Sequence, residues 1–231
     1  MATLETQTSP GYFRIALQSG LAAMLCLGLP AGLLFWLILF RAGNDSSLLS
    51  QVIKLLQDYG ILEIILYFLG VSVWGLLLAR ISGFRPGWRL AAATIVGAAV
   101  GRWSPLTNLD GWAQGHLPGA PVHIVFAMFL SGFIFSVTAC IGLAYGLILR
   151  SWRAALTLAL TTGVSTLLTT LLMILLLDRS GIRVGMGNAA MPKVTAVCTL
   201  DSALIGGIVL GVGFSWFVEK SRVQYKLPLT F

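Results

Sequence analysis

Residues 154–177 read AALTLALTTGVSTLLTTLLMILLL, a run without one charge, bounded by Arg150 and Arg153 before it and by Asp178 and Arg179 after it. A helix needs about 20 predominantly apolar residues to cross roughly 30 Å of hydrocarbon, so the run predicts a transmembrane helix. Outward from it in both directions, similar stretches recur at residues 18–40, 61–79, 90–104, 122–149 and 194–218. Together they predict an all-α integral membrane protein, a compact bundle of six transmembrane helices with the third short and open to a re-entrant reading. The composition of the whole chain agrees: 57% of 231 residues are hydrophobic and only 10% are charged, with a mean hydropathy of +0.90. The expected organisation is one membrane domain over 18–218, with an N-terminal tail over 1–17 and a C-terminal tail over 219–231.

The first apolar stretch is longer than the roughly 7 to 15 residues of a signal-peptide core, and no small-x-small cleavage site follows before Arg41, so this helix is expected to be retained. Cys26, Cys140 and Cys198 lie singly in three separate apolar segments. Without C-x-x-C spacing or a nearby histidine pair, they predict neither a disulfide framework nor a metal site. They read as small buried hydrophobes, and the sequence names no cofactor.

The net charge of +7 and the isoelectric point near 9.8 come from cations scattered singly, so no nucleic-acid partner is expected. The lipid bilayer is the partner the composition requires. Six crossings with the N-terminus inside put Arg14, Arg80, Arg85, Arg89, Arg150, Arg153, Lys220, Arg222 and Lys226 on the cytoplasmic side. Arg41, Lys54, Arg102, Arg179, Arg183 and Lys193 then lie outside, nine cations against six. This is the direction of the positive-inside rule, and the two short loops 80–89 and 150–153 are purely basic. The expectation is a multi-pass protein of a bacterial cytoplasmic (inner) membrane with both termini cytoplasmic. The third segment is the weak point, because Arg89 to Trp103 spans only about 22 Å as a helix. Trp88 and Trp103 bracket it as interfacial anchors would, which favours a crossing.

Pro30, within GLPAG, is expected to kink the first helix. Gly28/Gly32, Gly97/Gly101, Gly142/Gly146 and Gly207/Gly211 are glycine pairs four residues apart, the spacing that lets membrane helices approach closely, within this bundle or against other subunits. Between the first two crossings, residues 44–60 place Leu48, Leu49, Val52, Ile53, Leu55, Leu56 and Tyr59 at helical spacing, an expected amphipathic helix on the outer surface. Residues 102–121 form the longest loop, rich in glycine and proline.

One carboxylate interrupts the last apolar segment. Asp201 in AVCTLDSALIGG, residues 196–207, costs about 2.5 to 3.5 kcal/mol at a bilayer centre and so calls for a reason. Entry near Val194 puts it about 10 Å below the outer surface. Either an interfacial position or a first-turn position in a helix starting near Thr199 accounts for it without function. The functional reading uses the hydroxyls of the preceding helix. Counting back from Leu177 in an antiparallel hairpin brings Thr169 and Thr170 level with Asp201 and Thr166 one turn deeper. Asp201, Thr166, Thr169, Thr170 and, near the outer start of the second helix, Glu63 are the candidate substrate-binding residues, with no catalytic or metal-ligating residue among them. The threonines bonding their own helix backbone is the simpler alternative. His116 and His123 are read as interfacial.

No buried second aspartate, HExxH, G-x-S-x-G, Walker A or dinucleotide fingerprint occurs, so an enzyme is not expected. The leading expectation is a solute-transport component with an outward-facing polar site around Asp201. Its layout is similar to the membrane-embedded substrate-capture subunits of energy-coupled importers, a likeness of architecture that no residue motif supports. The alternative is a non-catalytic structural or accessory subunit of a larger membrane complex. Other membrane subunits are expected partners in either case.

Overall fold

The computed structural model describes residues 11–30, 61–105, 116, 122–181 and 191–225, with the side chains of 61–64, 122–123, 191–193 and 222–225 excepted. Gly32, the amphipathic segment 44–60 and most of the loop 102–121 lie outside the described residues. Among the described residues six helices are seen: α1 (Tyr12–Ala23, running into a π-helical turn at Met24–Gly28), α2 (Ile61–Ser82), α3 (Gly87–Arg102), α4 (Val122–Ile148), α5 (Trp152–Arg179) and α6 (Met191–Tyr225). No strand occurs among the described residues. Four of these helices are long and apolar enough to cross a membrane, through Ile65–Ser82, Ile124–Ile148, Trp152–Arg179 and Val194–Ser221. The third helix is the short one, at 16 residues.

Each helix packs on its sequence neighbour from α2 through α6, and α6 returns to pack along α1, which also touches α2. The helices thus close a ring. Tyr12 Oη donates to Glu219 Oε2 at 2.5 Å, while Gly28, further along α1, faces Leu200. α1 and α6 are therefore antiparallel, with the start of α1 and the last turns of α6 at one end of the ring.

The helix ends follow local chemistry. Ser151 caps α5, its Oγ accepting from Ala154 N at 3.2 Å, after Arg150 turns the chain out of α4 at φ 52°. Gly83, at φ 66°, does the same after α2, where a side chain would be strained. In α1 the irregularity traces to Pro30. It has no N–H for the carbonyl of Cys26 four residues back. That carbonyl instead lies against α2, where a Cβ added to Gly70 would sit 2.0 Å from it. The expected kink thus takes the form of a π-turn, a common way for a helix to absorb such a mismatch.

The glycine pairs carry the closest approaches. A Cβ on Gly97 or Gly101 would lie 2.7 or 2.5 Å from the Cα of Ile141 or Val137 in α4. On Gly146 it would lie 2.1 Å from Ala155 Cα in α5, and on Gly207 2.8 Å from Ser19 O in α1. These glycines join helices of this chain to one another. On α5 the leucines at 156, 160, 168, 172, 175 and 176 are exposed, whereas Thr162, Gly163, Thr166 and Thr170 are buried. Large apolar side chains outward with small and hydroxylated ones inward is the arrangement of a helix whose solvent is lipid.

The core has two parts. One joins Trp74, Leu78, Tyr145, Leu158, Leu210 and Phe214, and the other joins Phe126, Leu130, Ile134, Ile174, Val194 and Cys198. In the first, Tyr145 is fully buried, stacks on Trp74 with centroids 6.2 Å apart, and shares a 2.7 Å hydrogen bond with Thr94 Oγ1.

Candidate functional site

α6 begins at Met191, with Pro192 in its first turn, where the missing N–H costs nothing. Asp201 is therefore well inside a continuous helix, not in the first turn of one starting near Thr199. Its neighbour Ser202 is buried at 3% exposure, with its hydroxyl 2.8 Å from that of Thr170 on α5. One turn deeper, Gly206 meets Thr166, whose hydroxyl lies 2.9 Å from that of Thr138 on α4. The depth register of α5 against α6 is the one expected from the hairpin, but the partner of Thr170 is Ser202. Thr169 donates to Ser165 O within its own helix at 2.8 Å.

Asp201 is half-buried, and its carboxylate has no hydrogen-bond partner among the described residues. At about 100° per residue it points to the side of α6 opposite Ser202, Gly206 and Leu210. The exposed Val197 is four residues from it, on that same outer side. Glu63 lies in the first turn of α2 and His123 in that of α4, each described by backbone alone. His116 is exposed.

Inside the ring, in the half away from Tyr12 and Glu219, is a cavity of about 480 Å³. Leu27, Leu66, Val71, Phe133, Ile141 and Leu210 give it mainly apolar walls. Thr138 and Ser202, partners of Thr166 and Thr170, also line it, whereas Asp201 does not. Arg102, at the end of α3, is the one charged side chain among the described lining residues. Its guanidinium carbon lies 5.7 Å from the centroid of the Tyr67 ring, itself part of the wall.

Trp74 and Thr162, both residues of the lining, each carry a buried polar atom without a hydrogen-bond partner, Nε1 and Oγ1. The two residues are 2% and 1% exposed. Thr166 and Thr170 also bond the carbonyl four residues back, but Thr162 does not. A buried donor or acceptor left unmade costs about 1 to 3 kcal/mol.

Of these, sequence reasoning passed over Trp74, Tyr67 and Arg102. A signal was present in α2, where Tyr67, Val71 and Trp74 repeat at i, i+4 and i+7. Trp74 also falls in the middle of the span Ile65–Ser82, although membrane tryptophans concentrate at the interfaces. Comparison with known protein families, curated proteins and solved structures finds no match for this chain.

Proposed function

We propose that this chain is a six-crossing protein of a bacterial cytoplasmic membrane, both termini inside, that binds a small solute in the ring cavity and acts as the capture component of a transport system. The observation that carries the reading is the cavity itself, enclosed by all six helices, with hydroxyl-bearing residues Thr138, Thr162, Thr195, Thr199 and Ser202 in a mainly apolar lining. Its volume of about 480 Å³ lies within the roughly 300 to 1,000 Å³ of small-molecule sites, which are likewise mostly apolar with few polar groups. With both termini cytoplasmic, the cavity occupies the outer half of the membrane, where a solute is met first. The chain carries no nucleotide-binding motif, so a partner subunit or an ion gradient drives release.

The accessory-subunit reading keeps one observation of its own, the carboxylate of Asp201 on the outer side of α6. A partner helix bearing a cation would neutralise it there. The glycine pairs give that reading little, because they join helices within the chain.

Purification in mild detergent followed by native mass spectrometry tests both. The transport reading expects a small molecule retained by the protein and lost from Ala203→Phe, which fills the cavity from a lining position. Retention of the same molecule by the filled variant would remove the cavity from the site. A chain travelling only with fixed protein partners and no small molecule would favour the subunit reading.

A further inference from the structure

Positive charge among the described residues gathers at the end of the ring where α1 starts and α6 finishes. The helix register fixes which side chains stand there. Gly75 of α2 meets Ala91 and Thr94 of α3, Thr94 bonds Tyr145 of α4, and Gly146 of α4 meets Ala155 of α5. Counting outward from these contacts along antiparallel helices brings Arg80 and Arg89 level with Arg150 in the α4–α5 turn and with Arg153, all within about one helical turn. Arg85 lies in the α2–α3 turn. Across the ring, the bond from Tyr12 to Glu219 sets Arg14 and Lys220 at the same end.

All seven of these side chains are exposed, and no carboxylate pairs with any of them among the described residues. The two helix connections at this end, 83–86 and 149–151, are wholly described. Residues 1–10 and 222–231 add by sequence Glu5 against Arg222 and Lys226, so the positive excess does not depend on them.

Tryptophans stand beside the cations. Trp88, Trp152 and Trp216 are 64%, 62% and 45% exposed. Arg89 Cζ lies 5.8 Å from the centroid of Trp88 and Lys220 Nζ 5.0 Å from that of Trp216, while Arg153 directly follows Trp152. Further along the same helices the outward side chains turn apolar, as with Val96 and Val100 on α3 and Leu156 and Leu160 on α5. Cation, indole, then hydrocarbon is the order that a phospholipid monolayer presents as phosphate, glycerol region and acyl chain.

The belt also runs round the whole perimeter. A soluble acidic partner docks on one face and would meet only part of it, whereas a shell of lipid meets all of it. We infer that this end of the ring binds the headgroups of anionic phospholipids, whose phosphates meet the belt and whose acyl chains lie along the apolar wall beyond the tryptophans. The inference rests on the chain spanning a membrane. It needs neither the cavity nor a choice of which side faces the cytoplasm.

Spin-labelled phosphatidylglycerol and phosphatidylcholine, in trace amounts in phosphatidylcholine vesicles holding the purified full chain, report the lipid immobilised at the protein surface. One cation near an anionic surface is worth about fivefold, so an average over the shell, including its opposite end, should favour phosphatidylglycerol by about twofold or more. In about 1 M salt, where the screening length falls to about 3 Å, the two lipids should associate alike. Arg80→Gln, Arg89→Gln, Arg150→Gln and Arg153→Gln combined should remove most of the preference, and the same four positions as Lys should keep it. Arg179→Gln, at the other end of α5, should change nothing. Should the fourfold Gln variant not fold, the salt comparison on the unaltered protein decides. Equal association of the two lipids at low salt would overturn the inference, and binding of poly-glutamate in their place would assign the belt to a soluble acidic protein. A preference that survives the four Gln substitutions would overturn its placement at this end. A chain that does not float with neutral vesicles would instead overturn the membrane-spanning reading itself.

Discussion

Thr162, Thr166 and Thr170 occupy one buried face of α5, yet only the first has an unpartnered hydroxyl. The same substitution should therefore act in opposite directions along that face. Thr162→Val removes an unsatisfied buried group at constant shape and should stabilise the protein by about 1 kcal/mol. Thr170→Val strips Ser202 of its partner and should cost about 1 to 3 kcal/mol. Thermal melts of the purified protein, with and without solute, check both, and equal shifts of like sign would contradict the account of the cavity. Asp201 gives the next prediction. Because its carboxylate points away from the cavity, Asp201→Asn should leave solute affinity within about twofold, whereas a charge contact would be worth tenfold or more. Binding assays on that variant decide whether the site belongs to the cavity or to the carboxylate. These residues also mark what a sequence can convey. Depth was readable, since seven steps back from Leu177 brought Thr170 level with Asp201, one residue from its actual partner Ser202. Rotation was not, because one step along α6 turns a side chain by about 100° and exchanges Ser202 for Asp201.

Helices were legible here where hydropathy is continuous, and less so where one helix is defined by contact with another. The long runs of α2, α4, α5 and α6 announce themselves, and the short α3 does so through its tryptophan brackets. Glycine spacing foretold close approach without saying to what. At Gly146 the approach is to the backbone of α5, where an added Cβ would fall 2.1 Å from both N and Cα of Ala155. Gly146→Ala should consequently force α4 and α5 apart and cost about 1 to 3 kcal/mol, or more, because no flexible side chain can yield. Denaturation of the variant by a graded mixture of harsh and mild detergent measures the loss. Gly11, at φ −66° and with no atom nearer than 3.9 Å to an added Cβ, makes a control without steric crowding. An unchanged midpoint for Gly146→Ala would mean that this helix pair is not held as described.

At the scale of the whole molecule, the ring explains why a chain so apolar still has an interior worth filling. Hydrophobic burial cannot drive helix association within lipid, so packing and internal hydrogen bonds hold the bundle. α5 keeps its threonines inside and its leucines outside, while apolar cores at both ends of the ring leave a chamber between them. The chamber was not legible in the sequence, because its lining is drawn from all six helices and no single periodicity records it. Its usefulness depends on orientation. In the proposed orientation, with both termini cytoplasmic, Trp103, 73% exposed at the end of α3, would face the outside, and Arg150, in the turn between α4 and α5, would face the cytoplasm. The three native cysteines are half-buried or buried within the bundle and form a low background for a thiol label that cannot cross membranes. Trp103→Cys should react with such a label in intact cells, and Arg150→Cys only after the membrane is opened. The reverse pattern would put the chamber and its Arg102 rim on the cytoplasmic side. A solute arriving from outside would then have no entrance to it, and the chain would be suited to export instead of capture.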